Sequence, residues 1–363
     1  RKAERIFKNG ERDDTWTSWY INGNKKLEAN YGSGKLNGPW TSWYENGIIK
    51  EKSGHYANNK LDKKWTYWSE NGRKTSETTY DKGLKDGPTI FWNADNIKIL
   101  EGSYKKSEKN GQWTSWYEDG TLKSKEEYLN GEKNGQWVWW DPDGIKLREG
   151  EYKNGVKHGT WITWKDSDHK SIEETFLNGK VDGLVTVWFD NGNNKLVQSY
   201  SNGKPEGQWS EWFESGVSKK EYNWVDGKLD GKYVEWFENE QEKIEGEYKE
   251  GLKEGKWTEY YSDGQEKAVE SYSEGLPSGE WIKWYANGSS KEESEWEDGK
   301  LIGKWVEYYA DGQKSIEGEI DNGQAVGTWT EYYADGQKSF EGTRKRTIKK
   351  EKWTKWHELV QKS

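Results

Sequence analysis

The stretch GQWTSWYEDG, residues 111–120, recurs with small changes along the whole chain and decides the fold. Close copies are GPWTSWYENG at 38–47 and GTWTEYYADG at 327–336. The step between copies is 24 residues, apart from one extra residue between Trp40 and Trp65. Fifteen such units cover residues 1–363, with no linker or composition break between them. Repetition at a period of this length is typical of repeat architectures, in which each unit packs mainly on its neighbours.

The composition favours burial by aromatic side chains over a conventional apolar core. Hydrophobic residues make up 30% of the chain and charged residues 33%, yet there are 27 tryptophans and 22 tyrosines. Disordered chains are poor in aromatics, which argues against disorder. The net charge of −9 argues against a nucleic-acid partner, because binding phosphates requires a basic face.

The compartment is only weakly indicated. Cysteine and methionine are absent, which removes disulfides, thiol chemistry and the usual ligands of structural zinc. No apolar run approaches the length of a membrane span, and the chain starts at Arg1 without the pattern of a signal peptide. We interpret it as a processed or trimmed chain, and the low content of oxidisable sulfur favours the cell exterior or the periplasm over the cytoplasm.

Each unit is predicted to be a β-hairpin. Asn-Gly and Asp-Gly favour a two-residue type I′ turn, in which both central residues have positive φ. The second connection, from Tyr31 to Trp40, carries Gly34 and Gly38 and predicts a longer, looser turn. The predicted tight turns are Asn22-Gly23, Asn46-Gly47, Asp119-Gly120, Asp263-Gly264 and Asp335-Gly336.

A two-residue turn fixes the register and the faces of the sheet. It places Tyr20 opposite Lys25, Ser18 opposite Leu27 and Trp16 opposite Ala29. Because side chains alternate along a strand, one face then carries Trp16, Tyr20, Leu27 and Tyr31, and we call it the first face. The second face carries Trp19, Thr17 and Glu28. The sequence therefore predicts an all-β fold, an elongated single-layer antiparallel β-meander or solenoid of about fifteen 24-residue hairpins.

The two ends depart from the pattern. Glu4 and Phe7 occupy the positions of a second strand, so the array starts with half a repeat and a longer precursor is expected. The final repeat, 344–363, is degenerate and loses its Asn-Gly turn. It contains a basic stretch that either protects the end of the sheet by charge or docks an acidic partner or membrane surface. The basic residues are Arg344, Lys345, Arg346, Lys349, Lys350 and Lys352.

The repeat GQWTSWYEDGTLKSKEEYLNGEKNGQW resembles the MORN-variant repeat of bacterial proteins, of the type labelled YwqK-family antitoxin. The resemblance covers all 363 residues. It implies an antiparallel sheet that serves in protein assembly and sometimes in lipid contact, and the antitoxin label implies binding of a toxin. Choline-binding and glucan-binding wall repeats are also aromatic hairpins, but their period is nearer twenty.

Residue patterns for catalysis or metal binding do not stand out against the repeat. The four histidines, His55, His158, His169 and His357, lie in different units without metal-ligand spacing. DPDG at 141–144 lacks the rest of a calcium loop and predicts a turn. We therefore expect a protein without enzymatic activity, cofactor or metal.

The predicted function is multivalent display on an aromatic sheet, which binds a protein partner or assembles with itself. Cell-surface glycan or cell-wall binding and an antitoxin-like role are the alternatives. The candidate partner-binding residues are Trp16, Tyr20, Trp40, Tyr44, Trp113, Tyr117, Trp209, Phe213, Trp257, Tyr261, Trp281, Tyr285, Trp305, Tyr309, Trp329 and Tyr333.

Overall fold

The computed structural model of the chain describes residues 3, 4 and 6–343. The described residues form 33 strands and no helix. Of these strands, 31 belong to antiparallel sheet, and two pair with each other in a separate hairpin. The predicted all-β, single-layer antiparallel meander is confirmed. The chain divides into two compact units, Arg1–Val181 and Asp182–Ser363.

In the first unit, consecutive strands pair along the chain from β4 onward, except that β13 pairs with β11 and not with β12, and β1 pairs with β4. The separate hairpin consists of β2 and β3. The strands are β1 Ala3–Glu4, β2 Phe7–Lys8, β3 Glu11–Arg12, β4 Asp14–Trp19, β5 Lys25–Gly32, β6 Lys35–Trp43, β7 Lys50–Ala57, β8 Lys60–Trp68, β9 Lys74–Asp81, β10 Leu84–Trp92, β11 Lys98–Lys105, β12 Glu108–Lys109, β13 Gly111–Trp116, β14 Leu122–Leu129, β15 Glu132–Trp140, β16 Lys146–Lys153, β17 Val156–Trp164 and β18 Lys170–Leu177.

The second unit repeats the same up-and-down pairing. Its strands are β19 Lys180–Trp188, which begins just before the unit boundary, β20 Asn194–Ser201, β21 Lys204–Pro205, β22 Gly207–Trp212, β23 Ser218–Val225, β24 Lys228–Trp236, β25 Glu242–Lys249, β26 Leu252–Tyr260, β27 Glu266–Ser273, β28 Leu276–Trp284, β29 Ser290–Glu297, β30 Lys300–Tyr308, β31 Lys314–Asp321, β32 Gln324–Tyr332 and β33 Lys338–Thr343.

The predicted register is confirmed away from the turn and wrong beside it. Trp16 lies opposite Ala29 and Ser18 opposite Leu27, as expected. The register then shifts by one residue, so Lys25 lies opposite Trp19 and not opposite Tyr20. A β-bulge at this point increases the local twist and re-aims the side chains that follow it.

The Asn-Gly turn is a three-residue loop, and its prediction as a two-residue type I′ turn is wrong. The Gly23 N–H donates to the Tyr20 carbonyl at 3.1 Å, and the Tyr20 N–H donates to the Asn24 carbonyl at 2.8 Å. Gly23 has a φ of 87°, whereas Asn22 is not left-handed. The Asn22 Oδ1 instead accepts the Asn24 N–H at 3.0 Å, which favours a type I turn followed by a left-handed glycine. The glycine bond recurs at Asn46-Gly47, Asp119-Gly120, Asp263-Gly264 and Asp335-Gly336.

The tight two-residue turns are found in the second connection, which was predicted to be the longer and looser one. The predicted lengths of the two connections are therefore reversed. Ser33 and Gly34 both have positive φ, 50° and 76°, and they join the paired residues Gly32 and Lys35. This is the type I′ geometry. Gly38, with a φ of 119°, lies inside β6 as a bulge and not in a turn.

Substitutions within the repeat leave the strands intact. Thr89 replaces the first tryptophan of its unit, is 1% exposed and shares a 2.7 Å hydrogen bond with Thr78. Glu240 replaces a turn glycine and adopts a φ of 67°. The stretch at 141–144 forms the predicted turn, with the Gly144 N–H donating to the Asp141 carbonyl at 3.1 Å.

The core consists of tryptophan rings that lie against the backbone of the neighbouring strand. Trp161 is 1% exposed, and a Cβ added to Gly150 would lie 2.2 Å from its ring. Its Nε1–H donates to the Glu151 carbonyl at 3.1 Å. One side chain therefore buries a large apolar area and satisfies a backbone acceptor. The glycine contact, also at 2.2 Å, recurs in the pairs Gly54–Trp65, Gly102–Trp113, Gly246–Trp257 and Gly318–Trp329.

Tyrosines of the second strands join these rings into a ladder. The Tyr152 ring lies 5.1 Å from the Trp137 ring and 4.9 Å from the Trp161 ring, measured between centroids. Both contacts fall within the range of favourable aromatic pairs. Because rings such as Tyr152 touch rings of two units, the ladder supplies burial that a second layer supplies in most sheets.

We expect Trp161→Ala to lower the free energy of unfolding by about 3–5 kcal/mol, because the substitution empties a packed site and removes a hydrogen bond. Urea unfolding followed by circular dichroism measures the change. Leu177→Ala, at a position that is 46% exposed, is the matched control and should have little effect. Equal effects of the two substitutions would show that the indole column does not stabilise the sheet.

Candidate interaction surface

The structure places the predicted tryptophans inside the sheet. Trp113, Trp209, Trp257 and Trp329 are 2%, 9%, 5% and 1% exposed. Such rings are not available to a partner, so these four residues stabilise the fold. The other predicted tryptophans, Trp16, Trp40, Trp281 and Trp305, are half-buried. We call the position of the first tryptophan in each unit the first column.

Most of the predicted tyrosines tie one hairpin to the next. The Tyr117 hydroxyl donates to the Trp140 carbonyl, one repeat further on, at 2.8 Å. We call this contact the tyrosine clasp. It recurs from Tyr20 to Trp43, Tyr44 to Trp68, Tyr261 to Trp284, Tyr285 to Tyr308 and Tyr309 to Tyr332.

The remaining predicted residues differ from this arrangement. Phe213 occupies the clasp position without a hydroxyl group, and Tyr333 is 52% exposed. The predicted basic docking residues, Arg344, Lys345, Arg346, Lys349, Lys350 and Lys352, lie outside the described residues.

A second aromatic column, on the second face, offers more accessible rings than the predicted residues do. Its members are half-buried and an aromatic ring recurs in every described repeat, whereas the first column has no ring at Thr89 and Val185. We call it the outer aromatic column. The unbroken recurrence was the signal in the sequence that could have identified it. The column comprises Trp19, Trp43, Trp68, Trp92, Trp116, Trp140 and Trp164 in the first unit, and Trp188, Trp212, Trp236, Tyr260, Trp284, Tyr308 and Tyr332 in the second.

Lysine–glutamate pairs hold these rings in place. The Lys98 Nζ lies 2.6 Å from the Glu101 Oε2 and 5.5 Å from the centre of the Trp116 ring. Lys98 thus contacts a carboxylate and a ring of the next repeat, and covers part of that ring with its methylene groups. The ion pair recurs in Lys25–Glu28, Lys74–Glu77, Lys146–Glu149, Lys170–Glu173 and Lys314–Glu317.

The pairing also sets the charge state of the column. Hydrogen bonds from Lys314 and from the Tyr332 hydroxyl hold the pKa of Glu317 below its ordinary value. Because its pKa is lower in the folded state, this carboxylate stabilises the fold at pH values above its ordinary pKa, about 4.3. The contribution is lost as the pH falls through the folded-state pKa. At neutral pH the column therefore presents rings between fixed charges of both signs.

Two open depressions interrupt the surface between successive hairpin turns. One, of about 690 Å³, is lined by Trp68, Trp92, Arg73 and Lys74. The other, of about 590 Å³, is lined by Trp236 and Ser215. At both places the clasp tyrosine is replaced, by Ser69 in the first case and by Phe213 in the second. The same position holds another residue at Asn93, Asp141, Lys165, Phe189 and Phe237.

Among residues 3, 4 and 6–343, no group of three histidine, aspartate or glutamate side chains is placed to hold a metal ion. Within the same part of the chain, no helix has the length and apolarity needed to cross a bilayer.

Comparison with known proteins identifies the repeat. Segments 36–58, 109–130, 133–154, 253–273 and 325–346 match the MORN repeat variant. The chain contains MORN-variant repeats. The segment 133–154 shows what one match covers, namely β15, the three-residue turn and β16. The antitoxin label implied by the resemblance stays a prediction.

No curated protein sequence matches the chain. Among solved structures, a crystal structure of TcdB2-TccC3 is 12% identical, with a TM-score of 0.14 over 92% of this chain and 25% of that chain. TcdB2-TccC3-TEV is 13% identical, with a TM-score of 0.15 over 92% and 24%. A Tc holotoxin pore of Photorhabdus luminescens is 12% identical, with a TM-score of 0.13 over 92% and 24%. The chain spans about a quarter of these structures, and the low TM-scores carry no argument.

The clasp predicts opposite effects for two substitutions. Tyr117→Phe should lower the free energy of unfolding by about 0.5–1.5 kcal/mol, because it removes one hydrogen bond and keeps the ring. Phe213→Tyr should raise it by a similar amount, since the new hydroxyl group can reach the Trp236 carbonyl. Urea unfolding measures both. If Phe213→Tyr increased neither the stability nor the local protection from hydrogen exchange, the result would contradict the clasp.

Proposed function

We propose that the protein is a non-enzymatic scaffold that binds a protein partner through the outer aromatic column. The observation that carries the proposal is the recurrence of a half-buried ring at this position in every described repeat. Tryptophan and tyrosine dominate the energetics of protein interfaces, because they bury a large area with few rotatable bonds. The first column cannot serve in the same way, since most of its rings are covered.

The arrangement supports many weak contacts in place of one strong contact. Neighbouring strands lie about 4.8 Å apart, so rings of successive repeats are about 9.6 Å apart. A partner that spans several repeats makes the same contact several times, and linked contacts raise the overall affinity. The two depressions are each lined by at least one ring of the column, and a side chain of the partner can enter there.

The charged side chains beside the rings favour specificity. Lys74 pairs with Glu77 at 2.7 Å and also lies 5.9 Å from the centre of the Trp92 ring. Partly exposed pairs of this kind add little stability, but they select a partner by complementary charge and make association sensitive to salt.

Photo-cross-linking tests the proposal. Benzoylphenylalanine would replace Trp92 or Trp116 on the second face and, as a control, Ile172 on the first face. We expect one protein to be cross-linked from both second-face positions and not from position 172. The purified partner should then bind a Trp92→Ala/Trp116→Ala variant at least tenfold more weakly than the original chain. Unchanged affinity of that folded variant, or adducts from position 172 alone, would contradict the proposal.

A further inference from the structure

Four lysines form a row on the first face of the first unit. Lys85, Lys109, Lys133 and Lys157 occupy the same position in four consecutive repeats, always opposite a tyrosine of their hairpin, and we call them the lysine row. This position is apolar in most other repeats, where it holds Leu36, Leu61, Val181, Pro205, Leu229, Pro277, Leu301 and Ala325. The fold therefore does not require a lysine there.

Each lysine of the row lies over rings of the aromatic ladder. The Lys133 Nζ is 4.4 Å from the centre of the Trp137 ring and 4.6 Å from that of Tyr152. Lys109 lies 4.5 Å from Trp113 and from Tyr128, Lys157 lies 4.7 Å from Trp161 and 4.2 Å from Phe176, and Lys85 lies 4.8 Å from Tyr104. Along the row, each lysine ammonium group therefore lies next to aromatic rings of the ladder.

The row carries an excess of positive charge. The carboxylate beside Lys109 is that of Glu126, which accepts at 2.9 Å from the Tyr128 hydroxyl to which Lys109 donates at 3.3 Å. Within the described part of the chain, Lys85, Lys109 and Lys133 have no carboxylate within ion-pair distance. Lys157 shares Glu174 with Arg148, at 4.0 Å and 3.6 Å. Burial and the neighbouring Arg148 lower the pKa of Lys157, and Glu174 only partly opposes this shift. This positive stripe lies on a chain whose net charge is −9.

We propose that the lysine row binds a linear acidic polysaccharide, with one carboxylate-bearing disaccharide for each repeat. Charge complementarity selects an anion, and the half-buried rings of Tyr104, Tyr128 and Tyr152 beside the row offer apolar surface for the C–H faces of sugars. Successive lysines lie two strands apart, about 9.6 Å, which is close to the length of a disaccharide. One lysine per repeat then meets one carboxylate per disaccharide.

A single-stranded nucleic acid fits the row less well. Its phosphates follow one another at about 3.4 Å of axial rise in a helical strand, so several phosphates would face each lysine. The negative charge of the whole chain opposes a polymer of that charge density. An acidic glycan carries fewer charges per unit length and matches the spacing of the row.

Hyaluronan oligosaccharides, which carry one carboxylate per disaccharide, provide the test, with quenching of tryptophan fluorescence as the readout. The full chain should bind them, and binding should weaken as salt is raised. The variant Lys85→Leu/Lys109→Leu/Lys133→Leu/Lys157→Leu uses the residue found at this position in other repeats. We expect it to bind at least tenfold more weakly, with a smaller dependence on salt.

The matched control removes the same charge from the second face of the same unit, by Lys74→Ser/Lys98→Ser/Lys146→Ser/Lys170→Ser. It should keep most of the affinity, and thermal unfolding checks that both variants are folded. The inference would be overturned by absence of hyaluronan binding, by equal losses in the two variants, or by tighter binding of oligo-dT than of hyaluronan. Because the row and the outer aromatic column lie on different faces, failure here leaves the proposed scaffold function standing.

Discussion

The contact of an indole ring with the backbone of the next strand is the interaction on which the rest of the structure depends. A single-layer sheet has no opposing layer to bury its side chains, and this chain is only 30% hydrophobic. Where glycine lies beneath it, as in Gly150 beneath Trp161, the ring packs directly on the strand and its N–H satisfies a carbonyl beside the bulge. The bulge, the glycine and the tryptophan therefore form one structural motif that recurs in the sheet.

The two edges of each hairpin have different roles. At one edge, two left-handed residues such as Ser33 and Gly34 reverse the chain tightly. At the other, a longer loop places a tyrosine so that its hydroxyl reaches the next hairpin, as Tyr117 reaches Trp140. The clasp tyrosine is replaced at Ser69, Asn93, Asp141, Lys165, Phe189, Phe213 and Phe237, and the two depressions lie near Ser69 and Phe213. Variation in the repeat thus changes the surface without changing the strands.

The period, the hairpins and most of the register could be predicted from the sequence, because spacing and alternation are local properties. The pairing of Trp16 with Ala29 is an example. The turn types could not, since Asn-Gly fits two geometries and the Asn22 side chain decides between them through its hydrogen bond to Asn24. The roles of Tyr117 and Trp113 also escaped prediction, because their hydrogen-bond partners lie on other strands. Net charge concealed the lysine row, which becomes apparent when equivalent positions of the repeats are compared.

The most direct test of this account is the exchange rate of the indole Nε1–H groups, measured by NMR with selectively labelled tryptophan. The account predicts that the N–H groups of Trp65, Trp113 and Trp161, which donate to backbone carbonyls at 3.0 Å, 3.1 Å and 3.1 Å, exchange as slowly as the amides of their own strands. Exchange of these indoles at the rate of the urea-unfolded chain, while the strand amides stay protected, would contradict the claim that indole–backbone contacts hold the sheet together.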